Sequence, residues 1–222
     1  MERFLAFPLE QIPLLVIVLA IAFSVHEFAH AYVAYRFGDP TAKNAGRLTL
    51  SPLSHLDIFG TLMIFIAGFG WAKPVPVNRF YFKKPRLAGV LVSLAGPLSN
   101  LLLVFIGFIL WYSLSYSGVL NGIPENITNT IYQFFNLFIL LNIILFIFNL
   151  LPFPPLDGYR VIEDLSPTHI RAKLTQFENY GILLFLILII TPLDQYTITP
   201  LFNKVIPFIF ITFENIFITL FQ

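Results

Sequence analysis

The segment His26-Glu27-Phe28-Ala29-His30 sets two imidazoles four residues apart, with a carboxylate beside the first. On a helix, residues four apart lie one turn above each other on the same face, so both histidines can ligate a single tetrahedral zinc ion. Glu27 is then placed to take a proton from water activated by that ion, which is the chemistry of hydrolysis. The chain has no cysteine, which excludes thiolate ligands, a thiol nucleophile and disulfides. The plainer alternative is that the three side chains only hydrogen-bond to neighbouring helices.

The elements that must carry this motif are membrane helices. Of 222 residues, 57% are hydrophobic and 11% are charged, against roughly 25% charged in a soluble domain. A net charge of +1 gives no basis for a nucleic-acid partner, and a mean hydropathy of +0.81 excludes disorder. A crossing helix needs about 20 apolar residues. Between Glu10 and Arg36 the only charge is Glu27, and residues 87–124 and 126–156 carry none. Residues 179–193 form a shorter apolar run, and 205–222 hold only Glu214. The first run lacks a small-residue cleavage site and carries the motif, so it reads as a retained span rather than a signal peptide. The expected fold is an all-α polytopic membrane protein with about five transmembrane helices. A single integral domain is expected over residues 1–222, with the catalytic core at about 11–165 and C-terminal spans at about 179–222.

Lysine and arginine orient these spans. They gather in the connections 36–57, 73–86 and 152–178 and are absent from 113–130. The first three connections should therefore be cytoplasmic and the N-terminus outside. Residues 58–72 are uncharged apart from their flanks, which are basic on both sides, and they are too few for two crossings. Such a segment should dip in and return. Gly60, Gly68 and Gly70 suit the bend, while Pro74 and Pro76 keep residues 72–78 extended. A re-entrant extended or hairpin segment is thus expected around residues 58–78.

A third zinc ligand must share the cytoplasmic side. Asp194 fails on that count, and His55, Asp57, Asp164 and His169 fall in connections expected to be soluble. Asp157 fits best. It follows a long apolar run whose end is unwound by Pro152, Pro154 and Pro155, and Gly158 permits a close turn behind it.

Four stretches now stand in order: HEFAH at 26–30, GWAKPVPVN at 70–78, SLAGPLSN at 93–100 and NLLPFPPLDG at 149–158. Together they resemble the site-2 protease family of intramembrane zinc metalloproteases, in its compact bacterial branch without a PDZ domain. The resemblance covers roughly residues 15–165. It implies one zinc per chain, held by His26, His30 and Asp157, with Glu27 as catalytic base. It also implies that Asn149 assists substrate or transition-state binding and that Asn100 lies on a helix packed against the active site, a second candidate donor. The implied location is the bacterial cell membrane, multi-pass, with the site opening toward the cytoplasm. Implied partners are the lipid bilayer and transmembrane substrates such as anti-sigma factors, cut by regulated intramembrane proteolysis.

Residues 72–78 are expected to offer an edge to which an unwound substrate adds as a strand. The main competing reading is a divalent-cation transporter using the same His and Asp cluster. Transporters of that kind show paired repeats, and the second half has no counterpart to HEFAH. A prenyl-peptide-processing metalloprotease or an inactive scaffold would not account for the other three stretches or for the intact Glu27.

Overall fold

The computed structural model describes residues 8–67 and 70–221. They divide into two compact units, residues 1–85 and 86–222.

In the first unit, α1 (Ile12–Arg36) starts with Pro13 in its first turn, where the missing N–H is no loss, and ends at Phe37. Gly38 follows with φ of 102°, a backbone conformation that favours glycine. The apolar body of α1 buries Leu15, Val18, Ala22, Ala31 and Ala34, and also His26, Glu27 and His30. Two short helices, α2 (Thr41–Asn44) and α3 (Pro52–His55), pack against α1. Asp39 is fully buried at this corner. One of its oxygens accepts from the Thr41 backbone and hydroxyl, the other from the Asn78 N–H at 2.6 Å.

The expected dip is present as a hairpin. Asp57 caps α4 (Ile58–Ala67) by accepting from the Gly60 N–H at 2.8 Å. Beyond the helix the chain comes back to where it began: Leu56 and Ala72 form an antiparallel bridge, and the Lys73 N–H donates to the His55 carbonyl at 2.8 Å. Ten helical residues rise about 15 Å, half of a hydrocarbon core about 30 Å thick. Glycine lets the two arms touch. A Cβ on Gly60 would collide with the Trp71 backbone, and one on Gly70 with the Gly60 carbonyl. Gly68, expected to contribute, lies outside the described residues.

In the second unit, α5 (Pro85–Tyr116) and α6 (Glu125–Asn149) are joined through Gly118, which has φ of 74°. Asn100 and Asn142, both fully buried, are joined by a 2.9 Å carboxamide hydrogen bond, and Asn142 donates onward to the Phe138 carbonyl. Helix α9 (Asp194–Phe221) packs Phe213 and Phe217 in stacked geometry on Phe108 of α5, in a core shared with Ile139 and Ile143 of α6.

Between α6 and α9, α7 (Asp157–Leu165) and α8 (Thr168–Ile190) are clamped together by charge. Arg171 pairs with buried Asp164 at 3.1 Å, and Arg160 bridges Glu163 and Glu178. Burial opposes the Arg160 charge, but Glu178 and Glu163 outweigh it and hold the guanidinium above its ordinary pKa.

Among the described residues, four helices are long and apolar enough to cross a membrane: Leu9–Arg36, Pro85–Tyr116, Glu125–Asn149 and Asp194–Phe221. The fold is therefore all-α and polytopic. The fifth expected run, 179–193, begins inside α8, whose first half carries Arg171, Lys173 and Glu178. The charge-free part of that helix, residues 179–190, rises about 18 Å at 1.5 Å per residue. His55 and Asp164, expected in soluble connections, are in fact completely buried.

The hairpin contact generates a test. Gly60→Ala should destabilise the protein by about 1–3 kcal/mol through overpacking, whereas Gly122→Ala, with open space around it, should leave thermal unfolding in detergent nearly unchanged.

Candidate metal centre

His26 and His30 sit on one face of α1 because they are four residues apart, and both are more than nine-tenths buried. Their Nε2 atoms are 3.0 Å apart, and the rings meet edge to face with centroids separated by 4.6 Å. Two nitrogens bound to one tetrahedral zinc at about 2.0–2.1 Å each would be about 3.3 Å apart. The observed spacing is close to that, so the imidazole pair fits zinc with little adjustment. Both are hard-to-soft borderline nitrogen donors of the type zinc prefers.

Glu27 points elsewhere on the helix. Its Oε2 accepts a 2.8 Å hydrogen bond from the Val75 N–H, across 48 residues of sequence. A carboxylate buried in an apolar helix is costly unless paired, and the extended segment supplies its partner. The segment is held in turn by both ends: Lys73 by the His55 carbonyl and by Arg47, whose guanidinium donates to the Lys73 carbonyl at 2.6 Å, and Asn78 by Asp39. Val75 is buried against Ala31 and Ala42, which fixes the register.

Asp157 is the first residue of α7, preceded by Leu156 in extended conformation. The three prolines do end α6 as expected, and the chain folds back so tightly that a Cβ on Gly158 would strike the carbonyls of Leu150 and Leu151. Asn149, the last residue of α6, donates from its Nδ2 to the Leu145 carbonyl one turn back at 2.9 Å. The Asn100 side chain donates to Asn142. Three participants were not foreseen from sequence: Val75 as partner of Glu27, Asp39 as anchor of the extended segment, and Asn142 as partner of Asn100. Only the alternation Pro74–Val75–Pro76, which leaves Val75 as the one N–H donor among the three, hinted at the first.

A family model described as peptidase family M50 matches residues 14–133 and 125–192. The chain belongs to peptidase family M50.

Relatives agree with that membership. The chain is 58% identical to a Bacillus subtilis protein named "Putative zinc metalloprotease YwhC", over 91% of this chain and 92% of that one. Proteins of the same description named Rip2, from Mycolicibacterium smegmatis and Mycobacterium tuberculosis, are 29% and 30% identical over 83% and 78% of this chain and 71% and 64% of theirs. No solved structure matches. The M50 protein is thus a multi-pass intramembrane zinc metalloprotease, and the cation-transporter reading has no support.

This M50 helix makes a direct prediction about metal. His30→Ala removes one of two adjacent nitrogens, so zinc measured by mass spectrometry of the purified protein should fall from about one per chain to under a tenth. Retention of full zinc would show that the imidazole pair is not its anchor.

Proposed function

We propose that the protein hydrolyses peptide bonds within or near transmembrane segments of other membrane proteins, with His26, His30 and Asp157 holding the zinc and Glu27 acting as general base. The observation that carries this reading is the buried pair of imidazole nitrogens 3.0 Å apart with a buried carboxylate on the adjacent residue. Asp157 is supported as third ligand by chemistry and position. It is a carboxylate at the head of a helix, set there by the unwound proline turn and kept steady by the α7–α8 charge clamp.

Zinc, when bound, polarises a carbonyl and lowers the pKa of water. The residues of the chain do the rest. Glu27 takes the proton from the attacking water and delivers it to the leaving amine. Asn149, at the point where α6 unwinds, is the candidate donor to the developing oxyanion. Asn100, engaged with Asn142 inside the bundle, is better suited to bracing α5 against α6.

A helical substrate hides its amides, so it must unwind to be cut. We assign residues 72–78 as the strand that receives it. The prolines bear on which edge is used. N–H groups of residues 73, 75 and 77 share one edge of an extended chain, the edge from which Val75 reaches Glu27. The opposite edge carries Pro74 and Pro76, which have no N–H to give. Between residues 73 and 77, only the edge that faces the catalytic carboxylate keeps donors.

The distribution of basic residues supports a site reached from the cytoplasmic side of the bacterial cell membrane; substrates of the anti-sigma-factor type rest on the family resemblance alone. That orientation uses the spans before residue 150 and does not depend on α8.

Two tests follow. Membrane fragments compared by proteomics between cells carrying the parent chain and Glu27→Gln should show substrates cut near the cytoplasmic end of their spans only with the parent, while both proteins retain zinc. A cut in the outer leaflet would reject the orientation. Val77→Pro removes a donor from the receiving edge without touching the Val75–Glu27 bond, and should raise KM about fivefold or more at constant zinc content; unchanged KM would remove strand addition.

A further inference from the structure

Val75 is the one residue between the two prolines, and on the edge it shares with Lys73 and Val77 it can form a fully hydrogen-bonded pair with an added strand, giving an N–H and accepting with its C=O. In the resting protein that N–H is taken by Glu27 Oε2 at 2.8 Å. The neighbouring groups on the same edge divide cleanly. Lys73 is committed on both counts, its N–H to His55 and its carbonyl to Arg47. Val75 C=O and Val77 N–H make no hydrogen bond among the described residues. A peptide that docks here in register therefore finds two groups open and one held by the carboxylate.

We propose that Glu27 is a placeholder on the substrate-binding edge: its carboxylate occupies the Val75 N–H until the carbonyl of an incoming peptide takes that bond, and the exchange releases Glu27 toward the reacting water. This rests on the strand-addition reading above and deepens it by naming Val75 as the residue that couples docking to the base. The geometry favours exchange over permanent bracing. A second-strand carbonyl paired with Val75 must approach along the same N–H direction that Glu27 Oε2 now fills, and one N–H shared between two acceptors gives each a poorer bond. The device also keeps the buried carboxylate satisfied while the site is empty, which a base aimed at water alone would not achieve. Asp39 and Arg47 pin the segment on either side of Val75, so the exchange can occur by movement of the Glu27 side chain rather than of the strand.

The test uses inactive full-length proteins, so that binding is measured without turnover. Glu27→Gln keeps an amide oxygen that can still accept from Val75; Glu27→Ala keeps none. Each is prepared with residue 75 either as valine or as its α-hydroxy acid, which replaces the amide N–H by an ester oxygen and preserves shape. All four are loaded with zinc in nanodiscs and titrated with one probe, a 24-residue Leu/Ala transmembrane peptide with a Gly-Ser-Gly-Ser break near one end and a photo-crosslinker beside it. The parent chain is incubated with the same peptide to record cleavage.

Placeholder exchange predicts that Glu27→Ala binds the probe about fivefold more tightly than Glu27→Gln, and that the difference disappears with the ester at residue 75. Equal binding by the two valine proteins, or a difference that survives the ester, would overturn it. If the parent cuts the probe and the exchange pattern is absent, the placeholder idea fails while the protease reading stands. Absence of both cutting and binding would count against both.

Discussion

A charged or ionisable side chain in the apolar body of a membrane helix must have its polarity answered locally, because the bilayer offers no water to do it. Helix α1 places three such residues within a single turn. The structure answers each from nearby: His26 and His30 face one another, and Glu27 is met by a backbone N–H from the extended segment 72–78. That last bond governs the layout of the first unit. For Val75 to reach the centre of α1, the chain must enter and leave the hairpin at one end, which the Leu56–Ala72 bridge and the glycine contacts between Gly60, Gly70 and Trp71 achieve.

The same economy appears in the second unit. The carboxamides of Asn100 and Asn142 satisfy each other across α5 and α6, and the buried acids of α7 find their partners on α8. Buried ion pairs of this kind are a weak source of stability, since desolvation offsets much of the Coulombic gain. Their use at the helix that begins with Asp157 is directional. Arg160 with Glu178, Arg171 with Asp164, and the Tyr159 hydroxyl on the Leu174 carbonyl at 2.7 Å fix how α7 lies on α8, and hence how its first residue is presented.

Much of this was legible in the sequence where the cause is local. The i, i+4 spacing of the histidines, the proline turn ahead of Asp157, the glycines of the hairpin and the long uncharged runs each act within a few residues, and the structure carries them. What escaped depends on distant partners. Nothing near residue 27 announces Val75, and nothing near residue 164 announces that an acid in a polar stretch will be buried against Gly89 and Arg171. Helix α8 likewise starts eleven residues before its apolar run, and its polar first half pairs with α7, a partner that the charge-free length of the run does not announce.

The central claim is that the two imidazoles of α1 and one carboxylate share a single zinc ion. X-ray absorption fine structure at the zinc edge of the purified, metal-loaded protein measures that directly. Two imidazole nitrogens at about 2.0–2.1 Å are expected, with the remaining light scatterers oxygen at about 2.0–2.2 Å. A spectrum with no imidazole scattering, or with a purely oxygen shell typical of a loosely held surface ion, would contradict it.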